Sequence, residues 1–505
     1  MLTSTANGND SRLSFWQRVR EYGVPPSMIE AATVRRLSGD WAGACAAANV
    51  EIDFQLPRVA RVHGREFADR LRGDLRCLAP DLLRWHLPRT APDGLLRAGL
   101  TVPLVRYPGE RPVHLVVRTP PAWAEYGQRI SLALWDGSRT GRAPHPHPRP
   151  SRRFRLDLHR HLWDAGRSGE LALRAGRGAP TDGRPAEGRP AEGRPTDGRP
   201  MDGPPAGGPQ DGPGRYGLRH AVDRWAAEAE VLLRAEGLPP GPVTVRVEHG
   251  RRLLLIPNAP NAPSDPNAPN DPNAPNTPNA PTRSYEPPEQ AAIDLRALPL
   301  LPDAATWVLP DIDLLRSGAI GPDRLHPLVA AALAPGHRPA RHPQPPPGQR
   351  LVECRGAQHR IAVVNGVLTA LDHDPAQLRR EELLAALSGS PLPCLRAIDQ
   401  AHRAPVELAG VRERLNHGDT AGALAVVEDL LGPRAALRDG PLREELTAAA
   451  ERRVVYGLYR AGLTVDQRVK AVQSGVSYAL YRTPGSGRHG LDRFPFPRRP
   501  RTATR

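Results

Sequence analysis

The chain has 505 residues and a formal net charge of +15; 39% of it is hydrophobic, and 59 prolines and 47 glycines make up about a fifth. This composition excludes a wholly disordered chain, and no stretch approaches the ~18 consecutive apolar residues of a membrane span. Four scattered cysteines (Cys45, Cys77, Cys354, Cys394) exclude a dense disulfide framework, and the polar stretch Met1–Arg12 predicts no secretory signal, so we expect a cytoplasmic protein.

Residues 13–95 are predicted to form a helical section. Apolar side chains recur at helical spacing from Phe15 to Tyr22, which is typical of an amphipathic helix. Gly39-Asp40 is predicted to separate two further helices, because a glycine ends a helix in the left-handed conformation and an aspartate caps the next one.

Residues 100–165 are predicted to form a β-rich section, because the apolar period changes to two. Strands are expected from Val102, Val113 and Ile130, and the Pro108-Gly109 turn makes the first two a hairpin. The alternating stretch Phe154–His159 is interpreted as a fourth strand.

A possible metal site lies at the end of that fourth strand. Asp157, His159 and His161 stand two residues apart, so they would share one face of a strand, and one carboxylate with two imidazoles suits zinc or iron. The alternative interpretation is that this is the solvated face of an antiparallel sheet whose other face carries Leu156 and Leu158. We favour the solvated face.

Two low-complexity insertions are predicted to be disordered, because neither can bury apolar surface. Residues 176–215 contain Gly/Pro/Arg pentapeptides, and residues 257–285 contain Pro-Asn-Ala triplets. Each is either a proline-rich ligand for a partner or an expansion that a surface loop tolerates, and the second interpretation is favoured. Between them, residues 216–256 are predicted to form a helix followed by a β-hairpin.

Residues 291–402 are predicted to form an α/β section. Asn365-Gly366 between two apolar runs indicates a tight hairpin. After it, the stretch Asp372–Pro375 is interpreted either as a metal or acid–base site or as a helix N-cap, and the cap is favoured because a proline follows. Cys354 and Cys394 are expected to be buried core thiols.

Residues 405–462 are predicted to form a helical hairpin section. Gly418-Asp419 repeats the Gly39-Asp40 pattern, with an alanine (Ala44, Ala423) at the fifth position after each glycine, as in the turn of a tetratricopeptide unit. No ~34-residue period joins the two copies, so we expect two isolated hairpins that pack on the β-rich middle.

Residues 484–505 are predicted to form a disordered basic tail, which suits nucleic-acid binding. The basic charge also fits a GC-rich coding bias, because Lys470 is the single lysine among 69 basic residues. Ala471 follows it, so the chain has no P-loop, and its polar surroundings argue against kinase or pyridoxal phosphate chemistry.

Several ordered stretches resemble an actinobacterial protein family to which no catalytic residues are assigned. The stretches are Phe15–Glu30, Gly39–Ala46, Ala79–His86, Arg153–Asp164 and Leu351–Ala357. The resemblance implies an association with MoxR-type AAA ATPases and von Willebrand A-domain proteins. It implies no cofactor.

The sequence therefore predicts an α+β protein, with helical N- and C-terminal sections around a mostly antiparallel β-rich middle and two disordered low-complexity insertions. No His-Glu-x-x-His, Gly-x-Ser-x-Gly or Cys-x-x-Cys motif is present. We expect a non-enzymatic interaction or adaptor protein that serves an AAA ATPase or von Willebrand A-type assembly. The alternatives are a metal-dependent enzyme that uses Asp157, His159 and His161, and a nucleic-acid binder that uses the tail.

Overall fold

The computed structural model describes most of the chain outside the low-complexity tracts: residues 13–137, 145–174, 219–247, 251–257, 283–285, 295–337, 350–354, 357–388 and 392–463. The predicted disorder of residues 176–215 and of the 484–505 tail lies outside the described residues, so both remain predictions. Among the described helices, none combines the length and apolar character needed to cross a membrane.

Helices occur in every section of the described chain and are most frequent in the N- and C-terminal sections. In chain order they are α1 (residues 13–18, continued by a π-helical turn at Val19–Gly23), α2 (Pro26–Leu37), α3 (Trp41–Ala47), α4 (Leu56–His63), α5 (Arg65–Cys77), α6 (Pro80–His86), α7 (Glu170–Arg174), α8 (Trp225–Glu236), α9 (Asp303–Thr306), α10 (Pro310–Arg316), α11 (Pro327–Leu333), α12 (Pro375–Ser388), α13 (Pro393–Arg403), α14 (Leu408–His417), α15 (Thr420–Leu431) and α16 (Pro441–Arg460).

The strands form four small sheets, ordered β1-β6-β5-β4, β2-β3, β7-β8-β9 and β10-β11-β12. Their bounds are β1 (Val50–Ile52), β2 (Arg89–Thr90), β3 (Leu95–Leu96), β4 (Thr101–Tyr107), β5 (Val113–Arg118), β6 (Ile130–Trp135), β7 (Val243–Arg246), β8 (Arg252–Ile256), β9 (Arg283–Tyr285), β10 (Arg350–Cys354), β11 (Ala357–Val364) and β12 (Val367–Ala370). All named pairings are antiparallel except β1 with β6. The predicted α+β class is confirmed.

In the described part of the chain, buried side chains form three apolar clusters. The largest joins α1–α6, the β4–β6 sheet and α10–α11, with the fully buried Trp85 and Trp163 in it. A small cluster lies between α8 and the β7–β8 hairpin. The third, which we call the C-terminal core, joins the β10–β12 sheet to α13–α16. The apolar interior is thus divided into separate cores, of which the first is much the largest.

Phe154–His159 is not a strand, and this prediction is wrong. The segment forms two consecutive 3₁₀ turns, Leu156–Leu158 and Arg160–Leu162. His159 Nδ1 donates to Arg155 O at 2.9 Å, which closes a turn that an extended chain cannot make. The alternating leucines are therefore compatible with a strand, but this segment does not form one.

A second correction concerns the end of the Pro-Asn-Ala insertion. Within the segment 257–285, predicted to be disordered, Arg283–Tyr285 forms β9 and pairs antiparallel with β8. Strand pairing uses backbone N–H and C=O groups, so composition alone did not reveal it. Residues 258–282 lie outside the described residues.

The predicted tight hairpin between β11 and β12 is confirmed. Asn365 and Gly366 have φ values of 52° and 81°, the pair of positive angles that a two-residue type I′ turn requires. Val364 pairs directly with Val367 across the turn. This turn fixes which side chains of the sheet face the C-terminal core.

Both Gly-Asp turns are also confirmed. Asp40 accepts a hydrogen bond from Gly43 N at 2.8 Å, and Asp419 accepts one from Gly422 N at 2.9 Å. The alanines at the fifth position are completely buried, which lets each pair of helices approach closely. The two turns differ in their surroundings, because Gly39 faces open space whereas the second glycine contacts another backbone.

Gly418 docks the C-terminal helices onto the N-terminal part of the chain. Its φ is +89°, and a Cβ atom there would lie 1.9 Å from Gly127 O. Its carbonyl accepts a hydrogen bond from Asn49 Nδ2 at 3.3 Å, and the neighbouring His417 O accepts one from Arg84 at 2.8 Å. Only glycine fits this contact.

Gly418→Ala should destabilise the protein far more than Gly39→Ala. Both replacements cost about 1–2 kcal/mol for the left-handed conformation, but only Gly418→Ala adds a collision with Gly127 O, of about 1–3 kcal/mol. Urea unfolding of the full chain measures the difference, and hydrogen exchange should report faster opening of α14 in Gly418→Ala alone. Equal losses in the two variants would contradict this docking contact.

Candidate functional site

A cavity of about 610 Å³ lies between α1, the end of α6, the 3₁₀ turns after Arg153, the end of β7 and the α9–α10 connection. Its walls contain five large aromatic side chains: Phe15, Trp16, Trp85, Phe154 and Trp307. A volume in this range accommodates a small organic molecule. We call it the arginine-lined cavity, after the charged residues described next.

The charge around this cavity is mainly positive. Its lining contains five arginines and a single carboxylate, Asp303: the arginines are Arg89, Arg97, Arg153, Arg155 and Arg246. Arg153 is neutralised by Asp303, with Nε–Oδ1 and Nη2–Oδ2 distances of 2.8 and 2.7 Å. Arg155 is likewise held by Asp157 at 2.8 Å and by Glu236 at 2.6 Å.

Two arginines of the lining, Arg97 and Arg246, form no ion pair with any carboxylate in the described part of the chain. Burial lowers the pKa of Arg246, and the neighbouring positive charges of Arg153 and Arg97 lower it further, against the opposing effect of Asp303. Like charges held this close repel one another, so an anion that entered the cavity would relieve the repulsion.

Arg89 differs from these two, because its guanidinium is occupied by the protein. It donates to Gly94 O and to Arg84 O, both at 2.8 Å. Burial lowers the pKa of Arg89 to about 9, and the charge of nearby Arg84 contributes. Arg89 therefore adds positive potential to the cavity while its hydrogen bonds fix the chain around the β2–β3 hairpin.

A buried imidazole–carboxylate pair lies at the inner wall of the cavity. Asp311 Oδ2 accepts a hydrogen bond from Trp85 Nε1 at 2.7 Å and lies 3.4 Å from His86 Nε2. His86 Nδ1 donates to Leu162 O at 3.0 Å, which fixes its ring. Burial alone raises the pKa of Asp311, but His86, Arg20 and Trp85 together hold that pKa below its usual value.

A second pair stands behind the first. His326 Nε2 lies 2.7 Å from Asp81 Oδ2, and both side chains are almost fully buried. Asp311 lies in the first turn of α10, which begins at Pro310. The burial of Asp311 beside His86 had no local signal, because the two residues are 225 positions apart in the sequence.

The predicted metal ligands Asp157, His159 and His161 are not brought together. The carboxylate of Asp157 pairs with Arg155, at an Oδ1–Nε distance of 2.8 Å. His159 Nε2 instead faces Glu228 Oε2 at 3.1 Å, and the ring centroids of His159 and His161 are 5.9 Å apart. Among the described residues, these three do not form a group with metal-binding spacing. The strand geometry on which that site depended is absent.

His159 belongs to a buried ion-pair network instead. Glu228 on α8 accepts hydrogen bonds from Arg174 Nε at 2.8 Å and Nη2 at 2.5 Å as well as facing His159. Burial raises the pKa of Glu228, but these partners outweigh it and lower the pKa to about 2. For His161, burial lowers the pKa to about 2, so this imidazole is neutral at ordinary pH.

Glu228→Gln should destabilise the protein by about 2–3 kcal/mol at pH 7, because it removes a buried charge from Arg174 and His159. The folded-state pKa lies below the ordinary value of 4.5, so this stabilisation is present above about pH 4.5 and is lost as the pH falls towards 2. Urea unfolding between pH 7 and pH 3 should show the two proteins converging.

The exposed Glu66→Gln serves as the control and should change the free energy of unfolding by less than about 0.5 kcal/mol. A gap between wild type and Glu228→Gln that stays constant down to pH 3 would contradict the network.

A separate cluster of metal-capable side chains lies in the C-terminal core. The ligand atoms of Cys354, His373 and Cys394 all lie within 4.8 Å of one another. Both cysteines are completely buried, as the sequence predicted, and both are free thiols. Burial raises the pKa of the Cys394 thiol to about 11, and its hydrogen bond with Cys354 contributes.

The aspartates beside His373 have ordinary structural roles. Asp374 accepts a hydrogen bond from Ala376 N at 3.3 Å, which is consistent with the predicted N-cap of α12. Asp372 pairs with Arg360 at 2.8 Å. The sequence identified this stretch, but not that His373 meets two cysteines, because 39 residues separate Cys354 from Cys394 and spacing does not reveal tertiary neighbours.

Comparisons of the chain with protein-family models, with curated proteins and with solved structures yield no match.

Proposed function

We propose that this chain is a cytoplasmic protein that binds a small organic anion with a planar ring, held in the arginine-lined cavity. The observation that supports this best is the pairing of Arg97 and Arg246 with aromatic walls. Their guanidinium groups have no carboxylate partner among the described residues, and they line the same cavity as Trp16, Phe154 and Trp307.

The ligand chemistry follows from these side chains. A guanidinium group binds phosphate or carboxylate through paired, charge-assisted hydrogen bonds. Aromatic side chains stack against planar rings. A nucleoside monophosphate combines both features and is small enough for about 610 Å³. We therefore use this class of compound as the first probe.

Binding is favoured over catalysis by the state of the nearby ionisable groups. His86 already uses Nδ1 on Leu162 O, and its Nε2 faces Asp311. Asp311 is further engaged by Trp85. A general acid or base must be within reach of the substrate proton, and this pair is occupied in holding the inner wall together.

Arg246→Gln and Arg97→Gln should each weaken ligand binding at least about tenfold, because each removes a charge-assisted hydrogen bond. Thermal-shift screening of the wild type with the four nucleoside monophosphates and with aryl carboxylates identifies a ligand, and calorimetry then gives Kd values. Arg76→Gln, an exposed arginine on α5, is the matched control and should bind as the wild type does. The proposal would be contradicted if no probe binds at millimolar concentration, or if the variant that carries both Arg97→Gln and Arg246→Gln binds the ligand with unchanged affinity.

The second candidate function is the adaptor role expected from the sequence. Helix α12 packs Leu378 on the C-terminal core but leaves Leu383 and Leu387 64% and 87% exposed. These two leucines stand one helical turn apart, the spacing with which a helix enters an apolar groove of another protein. A groove-bearing partner is proposed here, an AAA ATPase or von Willebrand A-domain protein in the first instance.

The double substitution Leu383→Glu/Leu387→Glu should abolish capture of such a partner, because it places two charges on the contact face. Quantitative pull-down with mass spectrometry compares it with the wild type and with Leu173→Glu, which changes an exposed leucine on α7. A partner should be depleted at least about fivefold in the double variant only, and should then bind the purified wild-type chain. An identical set of captured proteins in all three samples would contradict the role of α12.

A further inference from the structure

We propose that Cys354, His373 and Cys394 form a Zn²⁺ site that stabilises the C-terminal core. This inference is independent of the arginine-lined cavity, which lies in another part of the fold. It assigns the chain a metal ion through residues that share no sequence motif.

The geometry is close to that of a bound ion. In a tetrahedral zinc site, with Zn–S near 2.3 Å and Zn–N near 2.0 Å, neighbouring ligand atoms are about 3.5–3.8 Å apart. Here the two sulfur atoms and the imidazole nitrogen all lie within 4.8 Å of one another. A decrease of about 1 Å in the distances between these ligand atoms would give the tetrahedral spacing. Rotation of the three side chains can supply this decrease.

The chemistry of the donor set also favours zinc. Two thiolates and an imidazole are soft and borderline ligands, which suit Zn²⁺ and not Mg²⁺ or Ca²⁺. Both thiols are completely buried beside aliphatic side chains of the C-terminal core. In the structure the two thiols are hydrogen-bonded to each other. A bound Zn²⁺ ion would replace both thiol protons, which pass to solvent, and its charge would balance the two thiolates.

The three ligands come from parts of the chain that need a common anchor. Cys354 ends β10, His373 follows β12, and Cys394 lies in the first turn of α13. Helix α12 occupies the chain between His373 and Cys394. One ion would therefore fix both ends of α12 to the sheet, in a module whose core contains few side chains.

His359 is the neighbour suited to complete the coordination. It lies two residues from Ala357, the pairing partner of Cys354, so both side chains emerge on the same face of the sheet. Its ring stacks on that of His373, with a centroid distance of 4.2 Å and an interplanar angle of 9°. Its Nδ1 is buried and has no hydrogen-bond partner among the described residues. In this stacked arrangement the two rings cannot both direct their in-plane nitrogen lone pairs at one ion, so the His359 ring must first rotate. The set then becomes Cys₂His₂, which is typical of closed structural zinc sites.

Cobalt titration of the full chain tests the site. The purified protein is stripped with a chelator under reducing conditions and then titrated with Co²⁺, whose spectrum reports thiolate ligands and tetrahedral geometry. We expect one Co²⁺ per chain, a thiolate-to-cobalt charge-transfer band, and displacement of Co²⁺ by Zn²⁺. His373→Ala should weaken Co²⁺ binding at least about tenfold, since even the loss of an outer-shell partner costs that much.

The other cysteines of the chain provide the control. Cys354→Ser and Cys394→Ser should abolish the charge-transfer band, whereas Cys77→Ser, which changes an exposed thiol outside the cluster, should retain it with one Co²⁺ per chain. Because replacing a buried cysteine can itself prevent folding, the wild type is also measured alone, by its zinc content as purified and by the rise in its unfolding temperature when Zn²⁺ is added.

Thiol counting under denaturing conditions separates the site from a disulfide. Four reactive thiols together with a bound ion support the proposal, because the chain contains four cysteines. Two reactive thiols in the protein as purified, together with no Co²⁺ binding once the protein has been reduced, would overturn the proposal. A Co²⁺ spectrum that is the same in Cys394→Ser as in the wild type would also overturn it.

Discussion

The association of the two ends of the chain depends on one buried cation. Arg84 is almost completely inaccessible, and its guanidinium donates to the backbone carbonyls of Gly23, Gln128 and His417. These carbonyls belong to the end of α1, the loop before β6 and the end of α14. Burial lowers the pKa of Arg84 to about 10, which still leaves it charged at neutral pH, so the carbonyl dipoles must replace the water that the charge has lost. A lysine could not replace it, because its donors share one nitrogen, whereas Arg84 reaches the three carbonyls from three separate nitrogens of the planar guanidinium group.

Local patterns predicted most of the helices and hairpins, because helix caps and tight turns depend on neighbouring residues. The Asn365-Gly366 turn and the two Gly-Asp turns are of this kind. The strand predicted for Phe154–His159 was wrong because alternating leucines fit a turn as well as a strand. Here a hydrogen bond from the His159 side chain to a backbone carbonyl closes the turn. β9 was not predicted because it forms by pairing with the edge of β8, whose residues lie far from it in the sequence.

Much less of the candidate sites could be predicted. The arginine-lined cavity draws its walls from five separated stretches of chain, and the cluster at Cys354 joins residues up to 40 positions apart. The stretch that contains His373 was correctly placed at a helix start, but the neighbours of His373 follow from tertiary packing. The candidate metal site at Asp157, His159 and His161 is wrong for the opposite reason. Its residues are close in sequence and were assigned to one face of a strand, but that strand does not form.

The walls of the cavity come from residues before, between and after the two repeat tracts: Arg155, Arg246 and Trp307 stand in three successive stretches that the repeats divide. Contacts such as Arg153 with Asp303 and His159 with Glu228 hold these stretches together across the interruptions. Because these contacts join described residues on both sides of each repeat tract, we expect a chain with a shortened tract to keep the walls of the cavity in place.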